Sequence, residues 1–146
     1  MELIKKLSLV LLLAAGCQIT ATAQSRNPHK GTVIDKAYIF GLVASFNDST
    51  IYITNIQELE NVTTMMKKRL LDNKSMYTYQ LREYFTNTRQ LPHRTCVVFY
   101  ASSRKKIDKK YAKIKKMYIT KNPGKYDVRL ISDDDFQFKI PELWLI

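Results

Sequence analysis

The sequence predicts a single domain of the α/β or α+β class, built on a mixed sheet of four or five strands with helices on one or both faces. Three observations lead there. Apolar runs of strand length alternate with stripes of helical period along the chain. Residues 95–131 read as an apolar run, a lysine-loaded helical pattern, a Pro-Gly turn and a second apolar run, the grammar of a βαβ unit with parallel strands. The length left after an N-terminal leader suits one core.

That leader comes first. Lys5 and Lys6 precede an apolar run over residues 7–15, and Ala21 and Ala23 put small residues where a signal peptidase reads them. Residues 1–23 are therefore expected to be a signal peptide cut between Ala23 and Gln24, leaving 123 of the 146 residues in an exported, periplasmic or secreted protein. A competing reading places a lipobox before Cys17, which would be lipidated and anchor the chain to a membrane. No later apolar run reaches the length of a membrane-spanning helix, so none is expected in the mature chain.

Residues 24–36 are polar, with Pro28 and Gly31, and read as a leader segment with a tendency to disorder; the globular domain is expected over 37–146. Residues 37–46 form a nearly unbroken apolar run, and Asn47-Asp48-Ser49 is turn chemistry before 50–56, so the two runs predict an antiparallel hairpin. In its second strand Ile51 and Ile53 share one face, and Tyr52, Thr54 and Ile56 the other. Gly41 marks a bulge or a close approach of backbone. Over 57–74, Val62, Met65, Met66 and Leu70 fit a short helix. Asn73 or Ser75 then caps a firmer one over 76–87, with Tyr77, Leu81, Tyr84 and Phe85 on its apolar stripe.

The central strand opens at Cys96, and the helix over 104–120 places Ile107, Tyr111, Ile114 and Tyr118 toward the sheet. After the second strand of the βαβ unit, the turn 132–135 leads to Phe136, Phe138 and Ile140 alternating with Gln137 and Lys139, the pattern of a C-terminal strand. No internal repeat or low-complexity tract is present.

Charge is the strongest functional signal. Of 24 basic and 13 acidic residues, removing Lys5, Lys6 and Glu2 with the leader leaves 22 against 12, a net charge of +10. Residues 104–121 hold nine basic residues and one acid, Asp108, so they supply +8 of it. Lys105, Lys109, Lys113 and Lys116 fall opposite the apolar stripe. Just before them, Ser102 and Ser103 precede a first turn with Arg104, Lys105 and Lys106, where helix amides, hydroxyls and cations together suit an anion. The expected function is that of a small exported, non-enzymatic binding module whose lysine-rich face contacts an anionic surface or polymer: envelope lipid, polysaccharide, nucleic acid or acidic protein. The alternative is a structural or protein-interaction module with a merely solvated lysine face. A small hydrolase ranks third.

No catalytic, metal or cofactor residue is assigned. The mature chain has one thiol, Cys96, and therefore no internal disulfide. If the strand extends back to His93, three residues before it, that side chain falls on the opposite face, which defeats a Cys-His dyad unless the chain bends at the strand start. Asp133, Asp134 and Asp135 alternate in direction and lack a calcium loop around them, so they read as a solvated turn. Two histidines and one cysteine lack zinc-ligand spacing. Most tyrosines fall on apolar stripes and belong to the core; Tyr79 is off its stripe.

Overall fold

The computed structural model describes residues 32–65, 70–71 and 74–141. Cys17, Ala23, Gln24, Met66, Asn73 and the tail 142–146 lie outside these. The described residues form one mixed α and β domain. Its elements are β1 (Thr32–Ala44), β2 (Thr50–Thr54), β3 (Gln57–Met65), β4 (Leu70–Leu71), α1 (Lys74–Glu83), β5 (Thr95–Ala101), α2 (Arg104–Lys115) and β6 (Asp127–Ile131). Each helix continues into one widened π turn, Tyr84–Thr88 after α1 and Lys116–Thr120 after α2. These turns close with Arg89 N donating to the Tyr84 carbonyl (3.0 Å) and Lys121 N to the Lys116 carbonyl (2.9 Å).

β1 is the central strand, whereas β5, expected to be central, lies at an edge because its one partner is β1 among the described residues. One of its edges carries β5, antiparallel; the other carries β2 and β3 end to end, both antiparallel. β6 lies parallel to β2, and the two-residue β4 pairs with β3. β5 and β6 both oppose the direction of β1, so they run parallel with β1 and β2 between them. The expected βαβ crossover is therefore present, and α2 spans two intervening strands. The hairpin of β1 and β2 also forms as its pattern predicts, although β1 ends at Ala44 and Phe46 stands 99% exposed in the turn.

Each face of the sheet has its own core. Ala37, Ile39 and Val43 of β1 pack with Tyr77, Leu81 and Phe85 of the α1 segment, along with Cys96, Val98, Ile131, Phe136 and Phe138. Phe40 and Leu42 pack on the opposite side with Ile51, Ile53, Ala101 and Ile107, flanked by Tyr111, Ile114 and Tyr118. A strand covered on both faces has no polar face to keep, which explains the unbroken apolar run in β1. Gly41 lies under α1: a Cβ there would stand 2.5 Å from Leu81 Cδ2, so the close approach read from the sequence is real.

The sheet changes phase at one point. Ile39 faces Gln57, but Leu42 faces Ile53, so Phe40 and Gly41 stand opposite three residues, Thr54, Asn55 and Ile56. The extra residue is a β-bulge. It is tied by Gly41 N donating to Thr54 Oγ1 (2.9 Å), Thr54 Oγ1 to the Asn55 carbonyl (3.0 Å) and Asn55 N to the Ile131 carbonyl (3.1 Å). Beyond it the alternation inverts: Tyr52 and Thr54 of β2 face α1, whereas in β3 Gln57 and Leu59 do. Ile56, expected beside Tyr52, consequently joins the α2 side.

Two other expectations are corrected here. Residues 57–65 form a strand rather than a short helix, because β1 already begins at Thr32 and offers them an edge from Thr32 to Ile39. Residues 32–36, read as leader, thus belong to the sheet. Asn61 adopts a positive φ of 53°, which interrupts the alternation and lets Val62 reach the same core as Leu59. The helical spacing of Val62 with later residues was therefore misleading.

The C-terminal strand is the second correction. Phe136 and Phe138 are buried as the alternation predicts, but residues 136–141 join no ladder. Side-chain amides replace the missing neighbour. Gln57 Nε2 donates to the Phe136 carbonyl (2.8 Å) and its Oε1 accepts from Phe138 N (2.8 Å), while Gln80 does the same for both groups of Lys139 (2.7 and 2.8 Å). Gln57 Nε2 also reaches Asp133 Oδ1 at 3.3 Å. Truncating a buried, doubly bonded amide strands its partners at about 1–3 kcal/mol each. Gln57→Ala is accordingly expected to lower the urea unfolding free energy by about 2–4 kcal/mol, and the half-buried Gln80→Ala by less than about 1. Equal losses in the two variants would contradict the role assigned to Gln57.

Candidate basic site

The helix that carries the charge starts abruptly. Ser103 is its N-cap, with extended backbone (φ −128°, ψ 134°) and a carbonyl that accepts from Lys106 N and Ile107 N, both at 3.1 Å. Its hydroxyl makes no capping bond. No acid occupies the first turn, so Arg104, Lys105 and Lys106 stand at the positive end of the helix dipole, each costing a few tenths of a kcal/mol.

The structure divides the predicted anion-contacting residues into separate groups. Arg104 is engaged: its Nε donates to Asp108 Oδ1 at 3.0 Å, and its guanidinium lies 5.9 Å from the centre of the Tyr38 ring. Lys105, Lys109, Lys113 and Lys116 are all exposed along the outside of α2. Among the described residues none of these four forms an ion pair, because the helix's one carboxylate is taken by Arg104. From Lys105 to Lys116 the stripe runs about 16 Å at 1.5 Å per residue, a row of cations on a convex surface. Near its end Lys113, Lys116 and Lys121 surround the half-exposed Met117 in a shallow depression of about 330 Å³.

Ser102 and Lys106 face elsewhere. They line a cleft of about 400 Å³ at the end of β5, together with Lys74 and Lys110. Lys110 Nζ donates to the Tyr100 carbonyl at 3.0 Å and lies 5.8 Å from the Tyr100 ring centre, and Lys74 Nζ lies 6.0 Å from the same ring. Sequence reasoning missed Lys74, Tyr100 and Lys110. Lys110 follows Ile107 by three residues and so flanks the apolar stripe, a signal that was available; the approach of Lys74 from another helix was not.

At the other end of β5 a second cleft, of about 570 Å³, is lined by Arg82, Pro92, His93, Arg94 and Cys96 among others. His93, two residues before β5, has a positive φ of 64°, so the chain bends ahead of the strand and both His93 and Cys96 border one cleft. The thiol is nevertheless poorly suited to attack. It is buried in the α1-side core, donates weakly to the Arg94 carbonyl at 3.9 Å, and burial pushes its pKa up despite Arg82 and Arg94 nearby. Arg94 itself is committed to structure: its side chain is 7% exposed, pairs with Asp48, donates to the Thr50 carbonyl and lies over Tyr52.

The three aspartates form a turn closed by Asp135 N and Phe136 N donating to the Ser132 carbonyl. All three are exposed. Among the described residues no three acidic, histidine or cysteine side chains gather as a metal site, and no helix is long and apolar enough to cross a membrane. Comparison with known protein families, with curated proteins and with solved structures returned no match.

The state of Cys96 is open to direct measurement. A maleimide added to native protein at neutral pH is expected to react at least about tenfold more slowly than with the urea-unfolded chain, since both burial and a raised pKa deplete accessible thiolate. Native labelling as fast as unfolded labelling would revive Cys96 as a nucleophile.

Proposed function

We propose that this chain is a small exported binding module, non-enzymatic, that lays the lysine-rich outer face of α2 against an anionic surface or polymer. One observation carries the reading: Lys105, Lys109, Lys113 and Lys116 are exposed in a row with no carboxylate partner among the described residues, while the one acid of the helix is paired to Arg104. Like charges three and four residues apart destabilise a helix by roughly 0.2–0.5 kcal/mol per pair, so an unopposed row favours release of its repulsion to an external anion. The convex shape suits an extended polyanion or a surface better than a small enclosed ligand. Steering by such a patch acts over about 8–10 Å at moderate salt.

Replacing all four lysines by glutamine tests this, because none of them packs on the sheet. The variant is expected to keep its circular dichroism spectrum and to melt slightly higher. Its retention on a heparin column should fall sharply, and the slope of log affinity against log salt should shrink by about 3. Wild-type retention by the folded variant would mean that the lysine face is only solvated, and the protein-interaction reading would then lead.

A further inference from the structure

β5 is an edge strand: among the described residues it pairs only with β1. Its outward backbone groups can be assigned. Gly41 N is directed to Thr54 Oγ1 on the β2 side of β1, so Val98, the β5 residue opposite Gly41, turns its own backbone groups away from β1. Tyr100, two residues on, shares that direction, and its carbonyl indeed accepts from Lys110 Nζ. The clefts at the two ends of β5 both border this outer edge, one lined by residues 98–102 and the other by 92–96. Val97 is 37% exposed between them.

The walls of this edge are cationic on both sides. Lys74 and Arg82 come from α1 and Lys106 and Lys110 from α2, and among the described residues no acidic side chain lines either cleft. We propose that the outer edge of β5 receives an extended, acidic polypeptide segment as an added strand. The seven residues of β5 give an edge of about 23 Å. Backbone hydrogen bonds to Val98 and Tyr100 would supply affinity, with Lys110 moving from the Tyr100 carbonyl to a carboxylate. Because successive side chains of an added strand point to opposite faces, adjacent carboxylates would meet Lys74 or Arg82 on one side and Lys106 or Lys110 on the other. A second copy of this chain is a poor occupant, since it would bring the same cations to meet their like. Lysines beside an open edge discourage indiscriminate pairing, and here they also select by charge. This surface uses other residues than the outer stripe of α2 and does not depend on it.

The test uses a fluorescein-labelled decapeptide of alternating Val and Thr with three consecutive Glu at its centre, titrated with the full mature chain and read by anisotropy. Binding is expected, with slowed hydrogen exchange at the Val98 and Tyr100 amides. N-methylating every residue of the peptide, which keeps its charge but removes its donors, should weaken binding at least about tenfold. Lys74→Glu with Lys106→Glu and Lys110→Glu should do the same without altering the circular dichroism spectrum. The four-glutamine variant of the α2 stripe should bind within about threefold of wild type at 0.15 M salt, where distant charges are screened. Equal binding of the methylated peptide, no binding at low salt, or protection of the same amides by self-association alone would each overturn the proposal.

Discussion

The single extra residue between β2 and β3 sets which face each of these two strands turns to each core. With Thr54, Asn55 and Ile56 opposite only Phe40 and Gly41, β2 and β3 present opposite parities to the same helix. Tyr52 can thereby join the α1 core while Ile51 and Ile53 meet α2, and Gln57 can turn toward the C-terminal segment. Without the inversion, Gln57 would enter the α2 side and leave Phe136 and Phe138 without the amide that holds them. Thr54 anchors the device by satisfying the Gly41 amide inside the core, where a stranded donor would cost about 1–3 kcal/mol.

Much of this was legible because periodicity reports burial. The apolar run of β1 and the stripes Tyr77, Leu81, Phe85 and Ile107, Tyr111, Ile114 all face the cores to which their spacing assigns them. Errors arose where a distant partner decided the outcome. Residues 57–65 hold too few apolar side chains to announce a strand, and they are one because Thr32–Ile39 offers an edge. Residues 136–141 alternate like a strand, yet two glutamine side chains stand where a neighbouring strand would be. Neither partnership leaves a local mark. At the candidate site the outer lysine row could be read directly, whereas the meeting of Lys74 and Lys110 around Tyr100 required the fold.

The two helices use their charge differently. On α1, Arg82 and Lys74 flank an edge strand, and the nearby Arg89 lies against Tyr52. On α2 the outer row belongs to neither core, and among the described residues it forms no ion pair. Its repulsion is a cost that the fold tolerates rather than uses, which is why the functional account rests there.

Lysine acylation mapped by mass spectrometry addresses that account most directly. The native chain is treated with an acylating ester at 0.05 M salt, with and without a heparin oligosaccharide, and modification is quantified at each lysine. The account predicts that Lys105, Lys109, Lys113 and Lys116 lose most of their reactivity when the polyanion is present, while the exposed Lys139, held beside α1 by Gln80, keeps its own. Protection spread evenly over all exposed lysines, or confined to residues outside α2, would contradict it.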